Sequence, residues 1–230
     1  MPKNKASLEP QQERSRESLR KLLKATTEVL GQHGVEGTTI PRIAKHAGLT
    51  PGAVYRRFRD KDALLEAAIL GILERQDERL KQGLSPGTVA KIPLEVFAEQ
   101  IVGGMVVTYR ANAPLLRAFR HFAQARAETE FARKAIKLEI RSLERVVDLF
   151  LASRRDIRHP DPRVAVSLGL MMITSTLYDL VVMPARLKDW KGLLPKDDQA
   201  LRRELTRAFL SYLDVEKTAA RPGGRRRPGA

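Results

Sequence analysis

The sequence predicts an all-α fold, and three observations carry that expectation. Apolar residues recur at the three-and-four spacing of amphipathic helices through most of the 230 residues. Helix starts are marked repeatedly by a hydroxyl or carboxylate residue, sometimes followed at once by proline, and glycines stand where helices should stop. No segment shows the apolar–polar alternation, bounded by turn residues, that a half-buried strand requires.

The first helix starts near Glu13 and lines up Leu19, Leu22, Leu23, Thr26, Val29 and Leu30 on one face, with Gly34 as its stop. Thr39 caps a second helix that tolerates Pro41 in its first turn and stripes Ile40, Ile43, Ala44 and Ala47. Gly48 ends it in the left-handed conformation, and Leu49 packs back. Thr50-Pro51 opens a third helix reaching about Phe58. Asp60 caps a fourth, whose Leu64, Leu65, Ala68, Ile69 and Ile72 carry it to about Leu80. GLSPG, residues 83–87, reads as a turn or linker. Beyond it helices are expected near 90–111, 114–124, 127–155, 162–183 and 198–214, with Asn112, Asp161-Pro162 and Asp197 or Asp198 as capping signals. The resulting division is a flexible arm (1–12), a head (13–82), a helical region (88–215) and a disordered basic tail (216–230).

Lys and Arg total 42 against 27 Asp and Glu, a formal net charge of +15, which points to a polyanionic partner, nucleic acid or an anionic membrane surface. The excess is concentrated: residues 13–61 carry +6 and 217–230 carry +5, while 62–216 carry only +3. With no cysteine there is neither a disulfide nor a thiolate metal site, which fits a reducing cytoplasm. The N-terminal MPKNKASLEPQQER lacks the apolar run of a signal peptide. Val164–Met183 is nearly long enough to span a bilayer, but it holds Asp179, Gly169 and four Ser or Thr hydroxyls. It is read as a buried helix of a soluble bundle, with no membrane partner. The four histidines are scattered, without HExxH spacing or a carboxylate cluster, so no metal is expected. Phosphate-loop, dinucleotide and nucleophile-elbow motifs are absent too, so neither catalytic residues nor a cofactor are expected, and the chain does not read as an enzyme.

The stretch GLTPGAVYRRFRDKDALL, Gly48–Leu65, combines these signals. Two short helices joined through Gly48-Leu49 and braced by a long first helix make a helix-turn-helix, whose second helix can enter a DNA major groove. Gly52 and Ala53 permit close backbone approach, while Val54 and Phe58 face inward and leave Tyr55, Arg56 and Arg57 outside. Tyr55 can offer its hydroxyl to a phosphate, and either arginine can fork onto phosphate or guanine. Thr39 and Lys61 stand at helix N-termini, where free N–H groups favour an anion. A solvated basic face is the plainer reading of an Arg-Arg pair alone; the full order of caps, glycine turn, tyrosine, basic pair and Asp-Lys-Asp is what favours DNA.

TTIPRIAKHAGLTPGAVYRRFRDKDALLEAAI resembles the DNA-binding domain of the tetracycline-repressor (TetR) family of bacterial transcriptional regulators, over roughly residues 14–74. The match rests on Thr38-Thr39, Ile43-Ala44, Ala47-Gly48, Gly52, Val54-Tyr55, Phe58, the Lys61 position and Leu64; the later helices match in length and order only. The resemblance implies a three-helix DNA-binding head plus a C-terminal bundle for ligand binding and dimerisation. It implies phosphate contacts from Thr39, Tyr55 and Lys61, and groove contacts from Thr50, Pro51, Gly52, Ala53 and Arg56. Pro41 departs from the family's usual polar residue, and Arg42 can compensate. It further implies a homodimer on palindromic double-stranded DNA, located with the nucleoid in the cytoplasm and released by a small-molecule effector.

For the effector, the candidate lining is Phe97, Met105, Tyr109, Phe122, Met171, Ser175, Tyr178 and Asp179, although such a set also describes an ordinary core. Asp179 either meets a structural partner such as Arg186 or a dimer mate, or receives a cationic or hydrogen-bond-donating effector. Gly103-Gly104 suits close helix packing or a ligand against the backbone. The dimer contact is expected from the last two helices, with Leu201, Leu205, Phe209 and Tyr212 as its apolar stripe. The reading from sequence is therefore a sequence-specific repressor. The alternatives are a non-specific architectural DNA-binding protein and an enzyme acting on a small hydrophobic molecule.

Overall fold

In a computed structural model, residues 8–215 are described, with the side chains of 8–12, Arg186 and Lys191 left aside. The expected tail, most of the expected arm and the Arg186 partner suggested for Asp179 thus lie outside the described residues. The described residues form helices without named strands; the sole β pairing among them is an isolated antiparallel bridge between Ile157 and Val215.

The head follows its capping residues. Helix α1, Leu8–Gly37, already begins inside the segment expected as a flexible arm, and it breaks at Gly34, where φ is 66°. Thr39 accepts the Arg42 amide and opens α2, Ile40–Ala47, which Gly48 closes at φ 67° while the Leu49 amide donates to the Ala44 carbonyl at 2.8 Å. Thr50 caps α3, Pro51–Tyr55, by accepting the Ala53 amide. This helix stops three residues short of Phe58, though the Phe58 amide still reaches the Val54 carbonyl and keeps the chain turning. Asp60 caps α4, Lys61–Gln82. Leu22, Val29, Ile40, Ile43, Val54 and Leu64 close the head core, with Leu49 and Phe58 packed against it.

Three expectations for the bundle change. The expected linker, 83–87, holds a Ser85 cap and the first residues of α5, Pro86–Val89. The expected break at residues 111–114 is absent: α6 runs unbroken from Leu94 to Gln124 through Pro114. A proline inside a helix costs about 3 kcal/mol, but α6 buries Phe97, Val102 and Val106 on one side of it and Ala118 and Phe122 on the other. Asn112 caps nothing there; its side-chain amide donates to the Thr108 carbonyl. After α7, Glu130–Leu151, and α8, Pro162–Leu177, the expected single helix to 183 gives way to a π turn, Tyr178–Val182. That turn is sealed by a 2.9 Å bond from the Met183 amide to the Tyr178 carbonyl, and a 3-10 stretch, Pro184–Leu193, leads to α9, Asp198–Tyr212.

Phe97, Phe150, Phe209, Val166 and Leu170 centre the bundle core. A third cluster of Leu30, Leu65, Ile69, Ala118, Phe122 and Phe131 lies where α1 and α4 of the head meet α6 and α7, so head and bundle share apolar packing. The span Pro162–Val182 is apolar and long enough to cross a membrane by length and composition, yet only 39% of its apolar window is buried. The buried helix expected from the sequence is buried on one face only: that face packs inward and the other is bare.

Candidate nucleic-acid interface

Val54 is fully buried, which fixes the roll of α3 and turns its other face outward. Thr50, Pro51, Gly52 and Arg56 are exposed there, Ala53 is half-buried, and Tyr55 holds 56% of its surface in solvent, unusual for a tyrosine. A Cβ at Gly52 would meet nothing within 4 Å. Thr39 and Thr50 use their oxygens as capping acceptors, so each hydroxyl proton stays available to a phosphate.

The other basic candidates are occupied by the protein itself. Arg57 donates to the Ser15 carbonyl at 3.1 Å and to its hydroxyl at 3.3 Å, tying the turn after α3 to α1. Arg42 donates to the Gly37 carbonyl. Lys61 is half-buried with its ammonium 3.3 Å from the Val35 carbonyl, so it serves the junction between α1 and α4 rather than standing free. The outward surface thus narrows to the start of α3, Tyr55 and Arg56.

The residues expected around an effector do not form one lining. Phe97 and Phe122 are at most 1% exposed; the first meets Phe150 at a tilt with ring centres 4.7 Å apart and the second meets Phe131 edge-on at 5.6 Å, which makes both core. Met171 and Ser175 lie on the solvent face of α8, away from the interior. Met105 and Tyr109 are half-buried against the bundle core. Tyr178 carries the Arg120 guanidinium 4.2 Å over its ring, and Arg117 donates twice to the Val182 carbonyl, at 2.6 and 3.0 Å, pinning the π turn to α6. Asp179 is half-buried and already engaged. Burial and the nearby Glu139 carboxylate raise the Tyr109 phenol, and desolvation raises Glu139 itself. Tyr109, Arg120, Glu139 and Tyr178 thus form a polar patch among α6, α7 and the π turn; the sequence reading missed Arg120 and Glu139 because their partners are distant in the chain.

A cavity of about 400 Å³ lies elsewhere, between α6 and α9, lined by Glu95, Glu99, Arg202, Arg203, Thr206 and Arg207 among others, and none of the expected effector residues borders it. Arg202 lies against Gly103, where a Cβ would come within 2.7 Å of the guanidinium, so a side chain supplies the close approach at this glycine.

The expected dimer stripe also needs correction. Leu201 and Phe209 are 4% and 2% exposed, and Leu205 and Tyr212 pack against the same core, so this face of α9 is spent inside its own subunit. The bare apolar surface belongs to α8: Val164, Leu168, Met171 and Met172 are 40–55% exposed and recur at helical spacing. Among the described residues no group of His, Cys, Asp and Glu is arranged to hold a metal ion.

Residues 22–68 match the model of bacterial regulatory proteins of the tetR family. The transcriptional regulator BetI of Escherichia coli O45:K1 is 29% identical over 103 residues, 45% of this chain and 52% of BetI, so the chain spans about half the length of the curated relatives it matches. Among solved structures, one described as a TetR-family transcriptional regulator from Mesorhizobium loti superposes with a TM-score of 0.64 at 21% identity, covering 86% of this chain and 97% of that one. The regulator FadR of Bacillus subtilis, solved with stearoyl-CoA, gives 0.56 at 17% identity over 84% and 98%. At such identities the structural likeness establishes the fold.

Proposed function

We infer a function from the premise that this chain belongs to the TetR family of bacterial regulatory proteins: it is a homodimeric, cytoplasmic repressor that reads a palindromic operator and leaves it when a small molecule binds. One observation carries the DNA reading. The start of α3 presents Thr50, Pro51, Gly52, Tyr55 and Arg56 to solvent on a helix whose roll Val54 locks. Arg56 reads a base edge, and Tyr55 with the Thr39 and Thr50 hydroxyls holds phosphates. Residues 13–82 act as the reading head and 88–215 as the dimerising, effector-binding bundle.

The exposed stripe on α8 supports dimerisation, since four large apolar side chains in a row are costly to leave wet. The patch of Tyr109, Arg120, Glu139 and Tyr178 supports an effector site, because an exposed cation and an exposed carboxylate stand beside two half-buried phenols and leave charged and hydroxyl groups of both signs open to a ligand.

In vitro selection of bound DNA tests the reading. The wild type is expected to enrich two inverted half-sites, and Arg56→Ala to relax one base position in each at a cost of about 1–3 kcal/mol. Enrichment of no motif at all would favour the architectural reading, and a motif unchanged by Arg56→Ala would remove that residue from base recognition.

A further inference from the structure

Helix α4 is held to the bundle by charge at two points. In its first turn Asp62 ion-pairs with Arg126, which stands two residues past the end of α6. Arg126 is itself fixed on the bundle side: it donates to the Phe122 carbonyl at 3.2 Å, its guanidinium lies 3.7 Å over the Phe122 ring, and its side chain is 21% exposed. Fifteen residues further along α4, Asp77 is 7% exposed and accepts from Arg145 at 2.6 Å, with Arg141 3.8 Å from its other oxygen. At the rise of an α-helix the two points lie about 22 Å apart. A rod pinned at one point pivots; a rod pinned at two points that far apart does not, unless one contact opens.

The Asp62 end is the one that matters for reading DNA. α4 begins six residues after α3 ends, and the intervening turn packs Phe58 into the head core, so α3 and the start of α4 move as one piece. We propose that Arg126 is a positioning residue that sets the distance and angle between the two recognition helices of the dimer, and thereby the operator spacing the protein accepts. The inference rests on the operator reading above. One base pair shifts a half-site by about 3.4 Å along the DNA and turns it by about 35° about the axis. Heads clasped at Asp62 as well as at Asp77 tolerate little of either, whereas with the Asp62 clasp open the first turn of α4 is held only by the apolar packing of Leu65 and Ile69 behind it, and the head rocks more readily.

The test uses full-length protein and duplexes that carry two copies of the selected half-site, with the best spacer and with spacers one or two base pairs shorter or longer. Dissociation constants are measured by fluorescence anisotropy at one salt concentration. Arg126→Gln and Asp62→Asn are each expected to shrink the preference for the best spacer about five-fold or more, and the double variant to shrink it no further, because both remove the same contact. Arg126→Lys, which keeps the charge and loses the planar stacking, should fall between. Should Arg126→Gln fail to fold, Asp62→Asn carries the test alone, since that carboxylate is 45% exposed. A uniform loss of affinity with an unchanged spacer profile would make Arg126 merely structural and overturn the inference while the operator reading stands. A wild type that enriches no paired half-sites would instead overturn the operator reading, and this inference with it.

Discussion

Two glycines of the bundle sit in opposite surroundings. A Cβ built on Gly169 would lie 2.5 Å from the Phe209 ring, which is 2% exposed and packs edge-on against Phe150 at 5.3 Å, so nothing can give without disturbing the core. Gly104, in the exposed face of α6, would bring its Cβ into open space. Gly169→Ala should therefore destabilise by about 1–3 kcal/mol through overpacking, and Gly104→Ala should stabilise by about 0.5–1 kcal/mol by narrowing the unfolded chain's freedom. Urea unfolding of the two variants at matched protein concentration checks the pair; equal midpoints would refute the packing account. Sequence alone placed Gly103-Gly104 in a helix but not which glycine touches a neighbour, because Arg202 lies about a hundred positions away. The same limit explains the basic residues. Arg56 stands out from local pattern, whereas Arg57 and Lys61 are spent on Ser15 and Val35, 42 and 26 positions distant.

At the scale of elements, the bare apolar surface expected on the last two helices is found on α8 alone. α9 turns Leu201 and Phe209 into its own core, while α8 leaves Val164, Leu168, Met171 and Met172 bare. Leu168→Glu with Met171→Glu should accordingly yield a folded monomer, seen as halved mass by light scattering with an unchanged helical circular-dichroism spectrum. Leu205→Glu with Phe209→Glu should unfold the bundle instead, since Phe209 has no water to retreat into. A dimer that survives the α8 change would place the interface elsewhere. The helix starts in the head were legible because a cap is a local device: Thr39, Thr50 and Asp60 each accept an amide three residues on. The continuity of α6 through Pro114 was not, because burial on both sides of the proline outweighs its local cost. Nor was the π turn after Leu177, which is fixed by Arg117 donating across 65 positions to the Val182 carbonyl.

At the scale of the molecule, the question is whether head and bundle unfold together. The third cluster takes Leu30 from α1, Leu65 and Ile69 from α4, Ala118 and Phe122 from α6 and Phe131 from α7, so neither half completes its packing alone. Arg126 and Asp62 fasten the edge of that cluster, and Arg145 and Asp77 the far end of α4, where the Arg145 hydrogen bond holds the Asp77 carboxyl below the usual carboxylate range. A shared core of this kind makes one cooperative unit. The chain carries a built-in probe on the bundle side, because its single tryptophan, Trp190, lies 55% exposed in the 3-10 stretch that leads to α9 and follows that stretch, while far-ultraviolet circular dichroism reports on every helix. Thermal transitions followed by the two signals at one protein concentration should coincide in the wild type. Phe122→Ala removes the ring at the centre of the junction and should cost about 3–5 kcal/mol, and it should also pull the two transitions apart, with dichroism beginning to fall before tryptophan fluorescence changes. Coincident transitions in that variant would mean that α4 and its ion pairs, rather than the junction core, bind head to bundle.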